Sequence, residues 1–506
     1  MELAFETKTI PCLQEILRET VSQEETSETI VPDSFPDVAR VLDCFGTVIL
    51  RAKEFRTGGI SVSGGVQTGV TYAPEDGSAP RTLHLYVPFT IRVENDGIKE
   101  KTKAIADCRL RSVDARAVNP RKLMVRVNLT GTITAWEPAE IETYDYTPEP
   151  GSDLQLRKTA YPVVHPMETA EKPFAVNEEA ELPAGRPAMQ ELCKYAVDLA
   201  VNESKLVGNK GVFKGTAGIK LLYLTPEGEP AVWMFQLPFS QYVEFDHEYG
   251  GEEELQIVLA PTDASVEDAN GQGKRVLVSL QVLAQCSVVG TQTVGVLEDA
   301  YSLSREFKPN WTELALGGRL DRQKLSENVR TSVEAPARGV IDTQLYLDAP
   351  VQRREDDTVV ISVPITANTV YVDDNGELQQ NLSRFEASCR TELAPGCVCR
   401  ASASLPSEAS AVPAGEGMEI RCLVEFTVDS MSGGGVRALS GGQLGDEPLP
   451  NADRPSVILR QAAPDDSLWS IAKSCRTTTE AVKKANDLAD DNARLTGMLL
   501  IPVVRA

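Results

Sequence analysis

Long stretches of this chain alternate apolar and polar residues with a period of two. Leu123, Val125, Val127 and Leu129 do so, as do Val276, Val278, Leu280 and Val282, and again Met418, Ile420, Cys422, Val424 and Phe426. That period buries one side of an extended strand and wets the other, so the pattern predicts half-buried antiparallel strands and a mainly β fold. Two regions read differently. Leu13, Ile16, Leu17 and Val21 fall on one helical face, which predicts a helical, acidic segment over residues 1–30. Near the end, Leu468, Ile471 and Ala472 share a face at three- and four-residue spacing, and Val482 and Ala485 lie three apart.

The strand pattern recurs with a fixed period. Val31 to Leu42, with Pro32 and Pro36, returns at Leu182 to Cys193, with Pro183 and Pro187, each proline displaced by 151 positions. Tyr72 and Tyr223 keep the same spacing. A fainter third copy places Pro336 149 positions after Pro187 and Tyr371 148 after Tyr223. Each tyrosine is followed by turn residues, namely Pro74-Glu75-Asp76-Gly77, Pro226-Glu227-Gly228 and Asp373-Asp374-Asn375-Gly376. Gly and Asn tolerate the positive φ that reversing strands need. The expected layout is three β-rich, sandwich-like repeats at 31–160, 161–310 and 311–440, each entered through a proline-marked short helix or turn. Residues 137–181, rich in Pro, Glu and Thr, and residues 306–325 read as linkers. Residues 441–455 read as a flexible tether to a small module at 456–506.

Within that module Val457, Leu459 and Gln461 alternate as a short strand, Asp466 or Ser467 can cap a first helix, and Thr478 or Thr479 a second. Met498 to Ile501 forms a second apolar run that Pro502 stops. So small a core is expected to use every one of these apolar positions, with Trp469 read as core ahead of sugar platform. The string Asp465-Asp466-Ser467-Leu468-Trp469-Ser470-Ile471-Ala472, with Thr477-Thr478 and Gly497 to Pro502, resembles the LysM family. That resemblance implies a βααβ fold and binding of N-acetylglucosamine polymers in a groove between two loops. In this chain the matching positions are Asp465, Asp466, Ser467 and Leu468 with Asn486, Asp487 and Leu488. Asp465 stands where the family commonly has Gly, and Cys475 and Arg476 where it has an aromatic and then Gly or Asn.

Charge narrows the partners. The chain carries a net −24, which argues against nucleic acid or an anionic membrane as the main partner. No apolar run is long enough to span a bilayer, and the first residues lack the basic and apolar regions of a secretion signal, so a cytoplasmic protein is expected. Ten cysteines are scattered without paired spacing and read as reduced, buried thiols.

Little in the chain suggests catalysis. Three histidines leave few groups for proton transfer, and Gly271-Gln272-Gly273-Lys274 lacks the spacing of a phosphate loop. The acidic pairs Asp356-Asp357 and Asp373-Asp374 read as solvated turns instead of calcium ligands. The expectation is a non-enzyme without cofactor or metal.

The Val31 to Leu42 string, its Pro36-Asp37-Val38 step and a LysM-like tail together resemble the SipL-type spore-coat morphogenetic proteins. Copies two and three depart to Pro187-Ala188-Met189 and Pro336-Ala337-Arg338, and Asp37 is read as the N-cap of a following turn. The resemblance implies a mother-cell protein at the forespore surface whose head docks on a coat-basement scaffold ATPase of the SpoIVA type. The alternative is an anchor to peptidoglycan or spore cortex.

Overall fold

The computed structural model describes residues 2–3, 5–149, 152–314, 316, 318–432, 435–450, 455–463, 466–490, 495 and 497–503. A two-residue strand, β1 (Glu2–Leu3), precedes copy one. That copy runs β2 (Glu6–Ile30), β3 (Val38–Arg56), β4 (Gly59–Pro74), β5 (Arg81–Glu94), β6 (Lys103–Asn119) and β7 (Lys122–Asp145). Copy two runs β8 (Leu154–Glu181), β9 (Glu191–Leu224), β10 (Pro230–Tyr249), β11 (Glu254–Asp268) and β12 (Arg275–Ser302). Copy three opens with β13 (Arg305–Leu314), β14 (Arg319–Val333), β15 (Gly339–Leu347) and β16 (Val351–Glu355). It continues with β17 (Thr358–Val372), β18 (Leu378–Glu392), β19 (Cys397–Ser404), β20 (Ser410–Ala414), β21 (Gly417–Ser432) and β22 (Val436–Pro448). The tail is β23 (Val457–Gln461), α1 (Leu468–Cys475), α2 (Thr479–Ala485) and β24 (Met498–Pro502).

Each copy is an antiparallel sandwich with its own core. In copy one the sheets are β3-β4-β5 and β2-β7-β6. In copy two β12 lies between β8 and β11, facing the β9-β10 sheet. In copy three β17 pairs β15, β16 and β18, and β21 pairs β14, β19 and β20. The alternating residues do what their period dictates: Leu123, Val125, Val127 and Leu129 are all fully buried, as are Val276 and Val278. Each such side chain stabilises the sandwich by roughly 1.5–3 kcal/mol.

The repeat holds at atomic detail. The Tyr72 hydroxyl donates to the Pro36 carbonyl at 2.9 Å, and Tyr223 to Pro187 at 3.3 Å. A Cβ on Gly64 would strike the Ile49 carbonyl and the Phe89 ring, and one on Gly215 would strike the Ala200 carbonyl and the Phe239 ring. Only glycine permits so close a strand crossing.

Several expected boundaries move. Residues 6–30 are a strand, not a helical segment. A register shift between Glu15 and Leu17 makes Ile16 an extra, bulged residue, which turns a two-residue alternation into three- and four-residue spacing. Ile16, Leu17 and Val21 pack on the copy-one core from that strand. The proline-marked turns therefore lie inside each of the first two copies, between first and second strands. They are turns, closed by Phe35 N–H to the Pro32 carbonyl and Arg186 N–H to Pro183. Asp37 caps no helix; Arg121 donates to its carboxylate at 3.0 Å and to Asp33 at 3.0 Å.

The expected linkers are strands too. Residues 137–145 and 154–166 extend β7 and β8 beyond their sandwiches, paired with β2 and β12. β13 and β22 pair likewise where 306–325 and 441–455 were expected to be irregular, while residues 451–454 lie outside the described residues. Three narrow ribbons thus project from the three copies, the third with β1 added beside β22, and pack together around Val163, Val294, Val296, Leu314, Leu316 and Ala438. A ribbon needs only one apolar face, so its composition resembles that of a polar linker.

The sandwiches close a ring. The last strand of one sheet in each copy touches the next copy cyclically: β5 on β9, β10 on β15, and β18 on β3. Gln285 of copy two, fully buried, exchanges two hydrogen bonds of 2.8 and 2.9 Å with the backbone of Ala106 in copy one. Arg400 of copy three grips Glu15 of copy one at 2.8 Å through two nitrogens. Among the described residues no helix is long and apolar enough to cross a membrane.

Candidate functional site

The tail folds as two short helices against one face of the antiparallel β23-β24 pair. Ser467 caps α1, accepting from Ser470 N–H at 3.0 Å while its own N–H donates to Ser470 Oγ at 2.9 Å. This reciprocal arrangement satisfies two otherwise open N–H groups. Thr478 caps α2 by accepting from Ala481 N–H at 3.1 Å.

Most residues expected in the groove are already engaged. Asp466 accepts from Arg460 at 2.8 and 3.1 Å and from Ala463 N–H at 3.0 Å. Leu468 is buried in the module core, and Leu488 packs against the same core. Asn486 donates to the Val482 and Leu500 carbonyls at 2.7 and 2.6 Å and accepts from Leu500 N–H at 2.7 Å, tying α2 to β24. Asp487 is exposed with φ 51. Asp465 lies outside the described residues. Asp466, Ser467, Asn486 and Asp487 thus flank the two helix-bounding loops, where Ser467 and Asp487 are exposed, Asp466, Asn486 and Leu488 half-buried and Leu468 buried.

Trp469 is not a module core residue alone. Its indole N–H donates to Asp299 Oδ2 at 2.9 Å, and its ring meets Tyr301 edge-on at 4.9 Å. The Arg157 guanidinium lies 5.8 Å from the same ring. Lys473 Nζ lies 2.7 Å from both Asp299 oxygens, and the Tyr301 hydroxyl donates to the Thr477 carbonyl at 2.6 Å. Tyr301 and Leu303 join the module's own core. The expected flexible tether therefore leads to a module seated on the tip of the β8-β12 ribbon, held by residues from both. Burial, with Asp299 adding to it, pushes the Tyr301 hydroxyl well above the usual tyrosine range, so it stays a donor.

The other face of the β23-β24 pair points away from both helices. Val457, Leu459, Met498 and Leu500 share it, with exposures of 47, 67, 61 and 39 %. The small core does not use them, contrary to expectation. The alternation at Val457 and Leu459 marks one strand face in the sequence but does not say which side the helices cover.

Comparison with known families shows what these parts are similar to. Residues 37–118 match the SipL SPOCS domain, and residues 463–501 match the LysM domain. No curated protein and no solved structure matches the chain. The SPOCS match runs from Asp37 into β6 of copy one; copies two and three share the sandwich architecture outside the matched range. The LysM match contains both helices and all of β24 up to Ile501. Arg476, at the position where that family has Gly or Asn, adopts φ 47 and ψ 54 at the end of α1. Left-handed backbone there explains the family preference. Among the described residues no group of three or more His, Cys, Asp or Glu side chains could hold a metal ion.

Proposed function

We propose that this chain is a non-enzymatic assembly protein of the spore coat or envelope, which docks on a coat-basement scaffold ATPase of the SpoIVA type through its LysM module. A SipL SPOCS domain and a LysM domain on one chain support a sporulation-related role. The observation that carries the docking reading is the outward apolar strip of Val457, Leu459, Met498 and Leu500. Contiguous exposed apolar side chains suit a protein contact, whereas a sugar needs exposed hydrogen-bonding groups and aromatic faces. The module's one tryptophan is turned instead toward Tyr301 and Asp299 of the body. On this reading the protein works at the forespore surface in the mother cell.

The second reading, a peptidoglycan or cortex anchor, is favoured by the LysM match itself and by exposed Asp487 at the groove. One experiment separates them. The full chain and its Leu459→Glu/Leu500→Glu variant are tested for co-sedimentation with purified peptidoglycan and for capture by the purified scaffold ATPase. The docking reading expects capture by the ATPase, lost in the variant, and no sedimentation. Sedimentation by both proteins without capture would replace it with the anchor reading.

A further inference from the structure

The three copies meet at a buried cluster of charges contributed by one sequence position. Asp43, Lys194 and Asp342 are 151 and 148 positions apart, the same offsets that relate the tyrosines of the three copies. They are 2, 2 and 6 % exposed. Lys194 Nζ lies 3.3 Å from Asp43 Oδ2 and 2.8 Å from Asp342 Oδ2, so copy two bridges copies one and three. A second equivalent set surrounds them. Lys220 of copy two reaches Asp342 Oδ1 at 2.8 Å and donates to the Thr343 carbonyl at 2.9 Å. Asn368 of copy three donates to Asp43 Oδ1 at 2.8 Å and to the Cys44 carbonyl at 2.9 Å. Each therefore grips the same carboxylate and the same following carbonyl of the next copy around the ring. The third corner holds Gly69, where Phe45 occupies the space a side chain would need.

Burial works against charge at Lys194, but attraction from Asp342 and Asp43 overrides it and keeps its proton well above the usual lysine range. Burial is likewise overridden at Asp342 by Lys194 and Lys220, which hold its carboxyl well below the usual carboxylate range. Two carboxylates and two ammoniums make the cluster neutral as built. Such a cluster is a poor source of stability, because desolvation consumes most of the attraction and an apolar core serves as well. Its arrangement has a different consequence. A ring of three copy ones or three copy threes would bury three carboxylates together. A ring of three copy twos would bury six ammoniums, from Lys194 and Lys220 of each.

We propose that this cluster is an assembly determinant: it makes the three sandwiches dock as one body within a single chain and bars rings of like copies between chains. The surface is the ring interface, and the occupant it selects is the unlike copy from the same chain.

The full chain tests this by charge exchange. Lys194→Asp puts three carboxylates on the axis, while Asp43→Lys/Lys194→Asp returns both charges in swapped places and keeps the cluster neutral. Differential scanning calorimetry and light scattering read the outcome. Expected results are loss of the body's single transition and a gain in mass for Lys194→Asp, with both wild-type properties regained in the double variant. If Lys194→Asp does not accumulate as soluble protein, the double variant alone decides, and a wild-type transition and mass are expected of it. A Lys194→Asp protein with unchanged transition and mass would overturn the proposal. So would a double variant as disrupted as the single, which would reduce the site to local packing.

Discussion

Trp469 donates its indole N–H to Asp299 at 2.9 Å, across 170 residues of chain and from the LysM module to the body. The same carboxylate holds Lys473. The module's orientation thus rests on one acceptor with two donors, aided by the Tyr301 ring.

Asp299→Ala removes both contacts and is expected to loosen the module without unfolding it. The hydrogen bond contributes about 1 kcal/mol, and the ion pair, with Lys473 43 % exposed, adds a few tenths at most. Limited proteolysis should release the module faster, and tryptophan emission should shift red. Unchanged cleavage and emission would show that the apolar contacts with Tyr301 and Leu303 suffice alone.

Leu468 and Leu459 are expected to respond in opposite ways. Leu468→Ala leaves a cavity in a core with few other members, and a loss of about 2–5 kcal/mol should unfold the module. Leu459→Ala, at 67 % exposure, should change stability by less than about 0.5 kcal/mol. Helical circular dichroism and thermal melts of the full chain distinguish the two.

Arg476→Gly should stabilise the module. The left-handed conformation costs a non-glycine residue about 1 kcal/mol, and the cap N–H that bonds the Ala472 carbonyl is kept. A melt of the α1-α2 unit that moves down instead would mean that the arginine side chain makes a contact worth more than the strain.

The acid limb of stability should carry Asp145. Hydrogen bonds from Lys8 and then Lys158 hold its carboxyl down to about 2, and Lys158 belongs to the neighbouring ribbon. A depressed folded value gives stability that is present above the unfolded value of about 4 and lost as pH falls toward about 2. Asp145→Asn should lower stability at neutral pH and so flatten that part of the stability-pH curve. An identical acid limb in both proteins would remove Asp145 as a linkage between ribbons.

The repeat and the β character were legible in the sequence because both are local. Alternation at Leu123 to Leu129 needs no partner to be read, and Tyr72 with Tyr223 marks the period through a bond made within each copy. Residues 6–30 were misread because a single bulge at Ile16 imitates a helical period. The ribbons were misread because one-sided strands share their composition with linkers. The ring was beyond sequence reading. Asp43, Lys194 and Asp342 differ in charge, and each looks like an ordinary surface residue until the other two copies cover it. Ser467 as a cap and Leu468 on the apolar helix face were legible as well, because capping and three- and four-residue spacing are local.

The seat of the LysM module on the β8-β12 ribbon has a consequence for how such molecules can be laid side by side. Three similar sandwiches about an axis would present equivalent aspects to a neighbour, but among the described residues the head is held by Asp299, Tyr301 and Leu303 of copy two. Turning the body by a third of a revolution restores its outline while carrying the head to a different place. Each molecule therefore has a direction, and a layer attached through its heads would hold every body in the same rotational setting.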